Sequence, residues 1–213
     1  MRQWLLQKIT REQLGHFLDK HRTEAKTLEV GASSRPSLTQ FPNQIASDIS
    51  FHPQIDVQYD AHRMPFIDEQ FDCVLAIEVL EHCHTPQQVI DECYRMLKPN
   101  GTLILTTRFI FPLHDAPHDY FRFTKYGLRH LCRAFSQVTI EEEAKTVTTM
   151  GVLYQRLAYQ VDWKLPFTKI MLLLIAKILP HLQTTVAKEY GDIRKDVTEE
   201  NIMASGYYLV ARK

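Results

Sequence analysis

The sequence predicts an α/β fold built on an open parallel sheet. Over residues 27–107, short apolar runs typical of strands alternate with helical or turn-rich segments, an alternation that favours parallel strands joined by crossover helices. The chain has 213 residues, of which 45% are hydrophobic, and this is enough for the core of one full-sized domain. We therefore expect residues 1–213 to form a single domain.

Composition excludes several classes of protein. Lys plus Arg and Asp plus Glu both number 25, so the formal net charge is zero and no global field attracts nucleic acid. The N-terminal residues MRQWLLQKITREQL lack a small-residue cleavage site, which favours a cytoplasmic location over secretion. The cysteines lack a CxxC pair, so they indicate reduced, buried thiols rather than disulfides or zinc ligands. They are Cys73, Cys83, Cys93 and Cys132.

The first 24 residues have apolar side chains at helical spacing and predict one or two amphipathic helices. The spacing is carried by Trp4, Leu5, Ile9, Leu14, Phe17 and Leu18. A core over 25–145 follows, with five strand-like runs. These are TLEV at 27–30, QIAS at 44–47, IDVQY at 55–59, FDCVLAI at 71–77 and GTLILTT at 101–107.

Two helices are expected within this core. TPQQVIDECYRML, residues 85–97, has Thr85 as a candidate N-cap and Pro86 in the first turn, and the residues KPNG end it. Its apolar face is formed by Val89, Ile90, Cys93, Tyr94 and Leu97. KYGLRHLCRAF, residues 125–135, follows Thr124 as a candidate cap.

Residues 146–204 predict a helical insertion before a last strand at 205–213. The run LPFTKIMLLLIAKILPHL, residues 165–182, is broken by Lys169 and Lys177 and closed by Pro180. Its uninterrupted core, 170–176, is far shorter than the ~20 residues of a membrane-spanning helix. We expect these helices to cover the acceptor side of the active site. A surface-lying helix that contacts a membrane peripherally, or a homodimer contact, is the alternative.

The stretch LEVGASSRP, residues 28–36, has a strand followed by a glycine turn. Only Gly31 is present of the glycines that a nucleotide fingerprint uses, since Ala32, Ser33 and Ser34 follow it. By itself this stretch is weak evidence for a nucleotide site.

The strand ends provide stronger evidence because ligands of an open parallel sheet bind beyond the carboxyl ends of its strands. Asp48 lies 17 positions after Gly31, where a carboxylate accepts both hydroxyls of a ribose. Asp60 is placed to accept the exocyclic amine of an adenine, with backbone groups of Ala61 and His62 at the ring edge. Each acid alone could instead stabilise a turn or cap a helix.

A longer run then adds a resemblance. DAHRMPFIDEQFDCVLAIEVLEHCHTPQQVIDECYRMLKPNGTLILTT, residues 60–107, resembles class I S-adenosylmethionine-dependent methyltransferases of the type 11 group. That group typically has Asp-Ala, Leu-Pro-Phe, Phe-Asp, Glu-His and Leu-Lys-Pro-Gly-Gly in this order. With LEVG and the SDI around Asp48, the similarity covers about residues 27–143.

The resemblance implies a doubly wound, seven-stranded, Rossmann-like sheet, with a final strand at 207–210 antiparallel to a strand at 138–142. It implies S-adenosyl-L-methionine as cofactor. Ser33 stands where the family usually has a second glycine. Two alternatives follow. Either the hydroxyl or the backbone amide of Ser33 donates a hydrogen bond to the cofactor carboxylate, or its Cβ narrows the space for the cofactor. The cofactor-binding residues implied are Glu29, Gly31, Ser33, Asp48, Ile49, Asp60, Ala61, His62 and Glu78.

The loop FPLHDAPHDYFRFT, residues 111–124, is similar to a subset of these enzymes with His-x-x-Pro-His-Asp-Tyr-x-Arg-x-Thr after the fifth strand. It is expected to border the transferred methyl group. Asp119 could instead pair with Arg122 and fix the loop. A metal held by His114, His118 and an Asp is disfavoured because Pro117 opposes the helix that this spacing needs. The catalytic candidates are His82, His114, His118 and Asp119.

The predicted function is S-adenosylmethionine-dependent methyl transfer to a small-molecule, sugar or lipid-linked acceptor. Histidine suits the role of base because its ordinary pKa of ~6.5 leaves a neutral fraction near pH 7. Two alternatives stay open. One is an inactive methyltransferase-fold protein that binds the cofactor or a protein partner as a scaffold. The other is an NAD-dependent oxidoreductase, which normally has a fuller glycine fingerprint.

Overall fold

The computed structural model describes residues 2–33 and 39–213, so positions 34–36 of the expected glycine turn lie outside the described residues. The chain divides into two compact units. One comprises Met1–His16, Phe109–Pro112 and Glu142–Gly206. The other comprises Phe17–Arg108, Leu113–Glu141 and Tyr207–Lys213. The single domain expected from the sequence stays a prediction.

The second unit holds a seven-stranded sheet, apart from single residues at the ends of two strands. The strand order is β3-β2-β1-β4-β5-β7-β6, and β1 to β5 are parallel. Backbone hydrogen bonds show that β7 runs antiparallel to both neighbours, which confirms the predicted class of fold. The strands are β1 (Thr27–Val30), β2 (Gln44–Asp48), β3 (Val57–Gln58), β4 (Phe71–Ile77), β5 (Leu97–Arg108), β6 (Gln137–Glu142) and β7 (Gly206–Arg212).

Six α-helices accompany these strands in the described residues. They are α1 (Arg2–Leu6), α2 (Ile9–Lys20), α3 (Pro86–Met96), α4 (Lys125–Leu131), α5 (Thr146–Gln160) and α6 (Pro166–Leu182). The Thr124 hydroxyl accepts a hydrogen bond from the Gly127 amide at 3.1 Å, so the predicted cap of α4 is confirmed. Thr85 occupies the predicted N-cap position of α3, but its side chain makes no capping bond. Its hydroxyl lies 2.8 Å from His84 Nδ1 instead.

The core of the sheet consists of large side chains with almost no solvent exposure. The central strands β1 and β4, and β5 from Leu103 onward, are mostly buried, which explains why they are continuous apolar runs in the sequence. All four cysteines are buried and free, as predicted. Fully buried examples from the central strands are Leu28, Phe71, Leu75, Leu103 and Leu105.

In the first unit, α5 and α6 pack against each other, and α6 continues through Pro180 to Leu182. The prediction that Pro180 closes this run is therefore wrong. Proline has no amide hydrogen, so it cannot bond to the carbonyl of Ala176, four residues before it. Gly151 of α5 lies against that carbonyl, where a Cβ would be 2.7 Å from the oxygen. The missing side chain lets the two helices approach closely at this point.

None of the described helices has both the length and the apolar content needed to cross a bilayer.

Candidate active site

A cleft of about 270 Å³ lies at the carboxyl ends of β1, β2 and β4 in the second unit. The strand order reverses beside β1, and ligands of open α/β sheets bind at such points. Eight of the nine predicted cofactor-binding residues line the cleft, as does the predicted base His82. Glu29 does not, because it is buried within β1. The lining residues that the sequence did not single out include Tyr59, Val79, Cys83 and Asp115.

The turn after β1 depends on a glycine. Gly31 has φ of +67°, and a Cβ on it would lie 2.4 Å from Cγ2 of Val79, which also lines the cleft. Ser33 has φ of +54°, in the left-handed region that favours glycine. The backbone at Ser33 thus has the conformation that suits the glycine usual in the family.

Asp48, the last residue of β2, is hydrogen-bonded to this turn. Its Oδ2 accepts a hydrogen bond from the Ser33 amide at 2.9 Å, and its Oδ1 accepts one from the Ser50 amide at 2.8 Å. A carboxylate has about four acceptor sites, so both oxygens keep capacity for a ligand hydroxyl. Asp48 is only partly buried and faces the cleft. It can therefore position the turn and bind a diol at the same time.

Asp60 and His62 form a hydrogen-bonded pair on the neighbouring loop. Asp60 Oδ1 accepts from the His62 amide at 2.9 Å and lies 2.6 Å from His62 Nδ1. These bonds lower the pKa of Asp60 below its usual range, and the bond from the His62 amide has the largest effect. His62 Nε2 accepts from the Thr85 amide at 3.3 Å, and the ring stacks on His84 at 3.9 Å. The ring of His62 thus connects this loop to the start of α3.

Glu78 ends β4 in a left-handed conformation, with φ of +57°. Its amide donates to the Thr106 carbonyl at 3.0 Å, and its carboxylate forms an ion pair with Arg108. The Arg108 side chain is only 5% exposed. Sequence reasoning missed Arg108, for which the only signal is its position at the end of β5.

His82 is the predicted base that reaches the cleft. It lies on the short 3-10 turn Leu80–His82, and its Nδ1 is 2.8 Å from the His118 carbonyl oxygen. Since a carbonyl can only accept, Nδ1 must carry the hydrogen, and a neutral His82 has its lone pair on Nε2. Nε2 lies 3.9 Å from Asp115 Oδ2. The ring is therefore held in one tautomer with its basic nitrogen available.

The other three catalytic candidates do not line the cleft. Asp119 accepts two bonds from Arg122, at 2.6 and 2.7 Å, and one from the His114 amide at 3.0 Å. The Arg122 bonds are the main reason that the pKa of Asp119 falls to about 2. Burial lowers the pKa of His114. The exposed ring of His118 lies 3.1 Å from the Tyr120 hydroxyl. Catalytic roles for these three residues stay predictions.

One set of side chains in the described residues could hold a metal ion, namely Glu81, His82 and His114. Their ligand atoms lie within 4.8 Å of one another. Glu81 is buried, which raises the pKa of its carboxyl, and its Oε2 accepts from the Thr107 hydroxyl at 2.7 Å. The set differs from the His114, His118 and Asp combination considered from the sequence, because His118 is not part of it.

The chain is similar in sequence and in fold to known methyltransferases. Residues 34–105 match the family model described as a methyltransferase domain. The chain aligns over its whole length with a possible histamine N-methyltransferase from Thermotoga maritima, with a TM-score of 0.58, 14% identity and 94% of that chain covered. The fold is that of a class I methyltransferase.

Two further proteins are similar to this chain, one in fold and one in the sequence of a segment. A 1,6-didemethyltoxoflavin N1-methyltransferase from Burkholderia thailandensis, solved with S-adenosylhomocysteine, has a TM-score of 0.54 at 15% identity, covering 98% of this chain and 78% of that one. A ubiquinone biosynthesis O-methyltransferase from Pseudomonas fluorescens is 41% identical over 84 residues, 39% of this chain. The chain covers only 35% of the length of that relative.

S-adenosylmethionine is the methyl donor of the methyltransferase-domain family whose model residues 34–105 match, and the cleft has groups suited to this cofactor. A Cβ on Gly31 would collide with Val79, so only glycine fits at this wall of the cleft, and two partly exposed carboxylates, Asp48 and Asp60, also line it. Carboxylates accept hydrogen bonds from ribose hydroxyls and from an adenine amine, and both groups belong to this cofactor.

Proposed function

We propose that the protein is an S-adenosylmethionine-dependent methyltransferase with its cofactor in the cleft at the ends of β1, β2 and β4. The observation that carries the proposal is that Gly31, Asp48 and Asp60 line one cleft at the reversal of the strand order. The matched methyltransferase-domain segment, residues 34–105, includes both acids. When bound, the cofactor supplies a methyl group already activated by its sulfonium.

Asp48 would accept the ribose hydroxyls, and Asp60 would accept the adenine amine. The turn from Gly31 to Ser33 would receive the methionyl part. Because the sulfonium already makes the methyl electrophilic, the protein has mainly to align the acceptor with it and to remove a proton where the acceptor needs this.

For the acceptor we propose a hydroxyl-bearing small molecule, sugar or lipid-linked compound. Support comes from His82, whose Nδ1 bond to the His118 carbonyl leaves Nε2 free to take the proton of a hydroxyl group. The similarity to O-methyltransferases of ubiquinone biosynthesis is in keeping with an oxygen acceptor. The exposed Asp115, 3.9 Å from Nε2, would stabilise the charged ring once it has accepted the proton.

Calorimetry with S-adenosylhomocysteine and with NAD tests cofactor binding. Wild-type protein should bind the first and not the second. Asp48→Ala removes two charge-assisted bonds worth at least ~1.5 kcal/mol each, so affinity should fall by ~100-fold or more. Asp56→Ala is the matched control, because Asp56 accepts a backbone bond from Ala46 at 2.8 Å without lining the cleft. Equal effects of the two changes, or preference for NAD, would contradict the proposal.

A methyl-transfer screen with labelled cofactor over phenolic, sugar and lipid-linked acceptors tests the reaction. With the acceptor found, His82→Gln should lower kcat by ~100-fold or more, while the affinity for S-adenosylhomocysteine stays within about threefold. His130→Gln, an exposed histidine on α4, is the control. Tight cofactor binding without transfer to any acceptor would favour the scaffold alternative.

A further inference from the structure

The outer face of α6 is a continuous apolar stripe. Apart from one adjacent pair, its six members follow one another at intervals of three or four residues, so they share one face of the helix. Each is 46–60% exposed, whereas Leu172, Leu173 and Ala176 on the opposite face are buried. Leu172 and Leu173 pack with Ala158 of α5. The stripe consists of Phe167, Ile170, Met171, Leu174, Ile178 and Leu182.

Both tryptophans of the chain lie in the same compact unit and are exposed. Trp163 shortly precedes α6 and is 37% exposed. Trp4 is 53% exposed, and the ammonium of Lys177 on α6 lies 5.4 Å from the centre of its ring. Trp side chains have an apolar ring and a polar N–H, a combination suited to the boundary between acyl chains and water.

The segment around the stripe is positively charged although the whole chain is neutral. No Asp or Glu occurs between Asp162 and Glu189 in the sequence, while Lys164, Lys169 and Lys177 lie in this interval. A helix with an apolar face, flanking lysines and no acidic residue is complementary to an anionic bilayer surface.

We propose that α6 binds in the plane of an anionic lipid bilayer, with the stripe among the acyl chains and the lysines at the headgroups. A second copy of the chain fits this surface less well. In a two-fold contact the same patch meets itself, so the lysines of both copies would approach each other without acids to pair with them. The inference does not depend on the proposed methyl transfer.

Vesicle flotation tests the proposal directly. The full chain should float with phosphatidylcholine vesicles that contain about 30% phosphatidylglycerol, bind pure phosphatidylcholine at least ~10-fold more weakly, and show blue-shifted tryptophan emission when bound. Raising the salt to about 0.5 M should weaken binding without abolishing it, because the lysine contribution is screened and the apolar one is not.

Two double variants test whether membrane binding depends on the stripe rather than on exposed isoleucines in general. Ile170→Asp with Ile178→Asp should lower the partition into anionic vesicles at least ~10-fold, since both charges would enter the acyl region. The matched control is Ile193→Asp with Ile202→Asp, because these isoleucines are 100% and 42% exposed and lie outside the stripe. Thermal melts and binding of S-adenosylhomocysteine by both double variants check that the fold is intact.

Three results would overturn the inference. The first is absence of wild-type binding to anionic vesicles. The second is equal loss of binding in the stripe and control variants. The third is a dimer in lipid-free solution, seen by light scattering, that the stripe variant converts to monomer, since the stripe would then be the contact between copies.

Discussion

At the scale of single residues, the cleft includes strained backbone. Three of the described non-glycine residues with positive φ line it, namely Ser33, Glu78 and Asp115, at +54°, +57° and +52°. For side chains other than glycine this conformation costs ~1–2 kcal/mol each. The cleft therefore keeps a conformation that stability alone would not favour, as binding sites often do.

Ser33→Gly tests one of these positions. The one hydrogen bond described for Ser33 uses its backbone amide, which glycine retains. We expect the variant to be up to ~1 kcal/mol more stable, because strain is relieved but backbone entropy is lost, and to bind S-adenosylhomocysteine at least as tightly. Thermal melts and calorimetry measure the two effects.

The control is Ser50→Gly, since Ser50 also donates its amide to Asp48 but has no positive φ. It should be neutral or slightly destabilised. Markedly weaker cofactor binding by Ser33→Gly alone would show that the serine hydroxyl contacts the cofactor.

Asp119 links loop stability to pH. Its folded pKa of about 2 lies below the ordinary value of 3.8, so its stabilising contribution is present above about pH 4 and is lost as the pH falls through 2. The side chain is only 3% exposed, so solvent screens the Arg122 pair little. Asp119→Asn should cost ~2 kcal/mol at pH 7, and the difference from wild type should vanish near pH 2.

Chemical denaturation from pH 2 to 7 checks this expectation. Asp115→Asn is the matched control from the same loop, because the Asp115 side chain is 79% exposed. It should stay within ~0.5 kcal/mol of the wild-type curve, because an exposed pair with His82 contributes little. A pH-independent difference between Asp119→Asn and wild type would mean that the cost comes from packing rather than from the charge.

The sequence could place the cleft-lining residues together because parallel strands bring their carboxyl ends to one edge of the sheet, although their role in cofactor binding stays a prediction. Gly31, Asp48 and Asp60 each lie at the end of a strand or just after it, so topology alone assembles them. The sequence did not distinguish the roles of the individual histidines. Their spacing does not reveal that the His118 carbonyl holds His82 or that Asp119 bonds to Arg122, since both contacts depend on how the loop folds back.

At the scale of elements, the crossing of α5 and α6 depends on one glycine. A Cβ on Gly151 would lie 2.7 Å from the Ala176 carbonyl and 3.5 Å from Cδ of Pro180. Gly151→Ala should force the helices apart and destabilise the protein by ~1–3 kcal/mol despite the better helix propensity of alanine. Gly15→Ala is the control in α2, where a Cβ meets nothing within 4 Å, and it should be stabilising by up to ~1 kcal/mol.

Denaturant midpoints of the two alanine variants give the comparison. Similar stabilisation of both would mean that α6 can shift to accept the methyl group.

Element bounds predicted from sequence were least accurate where local signals conflict with packing. Pro180 signals the end of a helix, yet α6 continues because a final turn needs few further bonds, and β3 is reduced to Val57–Gln58 at the edge of the sheet.

At the scale of the whole molecule, the chain leaves the sheet after β6 and returns at β7. The excursion, residues 143–205, begins and ends at one point, because the Glu143 amide donates to the Gly206 carbonyl at 2.9 Å. The Ser205 hydroxyl also donates to Glu143 Oε2 at 2.7 Å. The sequence indicated an insertion here through its long apolar helices, but it gave no sign that the two ends meet in a buried hydrogen bond.

The closure of such a long excursion has a kinetic consequence. Joining β6 to β7 across about 60 residues costs ~2.4 kcal/mol more chain entropy than a four-residue hairpin would. We expect the β5–β7–β6 side of the sheet to form late in folding and to open first. In native-state hydrogen exchange, amides of Tyr208 and Leu209 should exchange through openings ~2 kcal/mol below those that expose Leu28 and Val74. Exchange of all four only by global unfolding would contradict this order. The strands that carry the cleft would then stay closed while the opposite edge of the sheet opens and closes on its own.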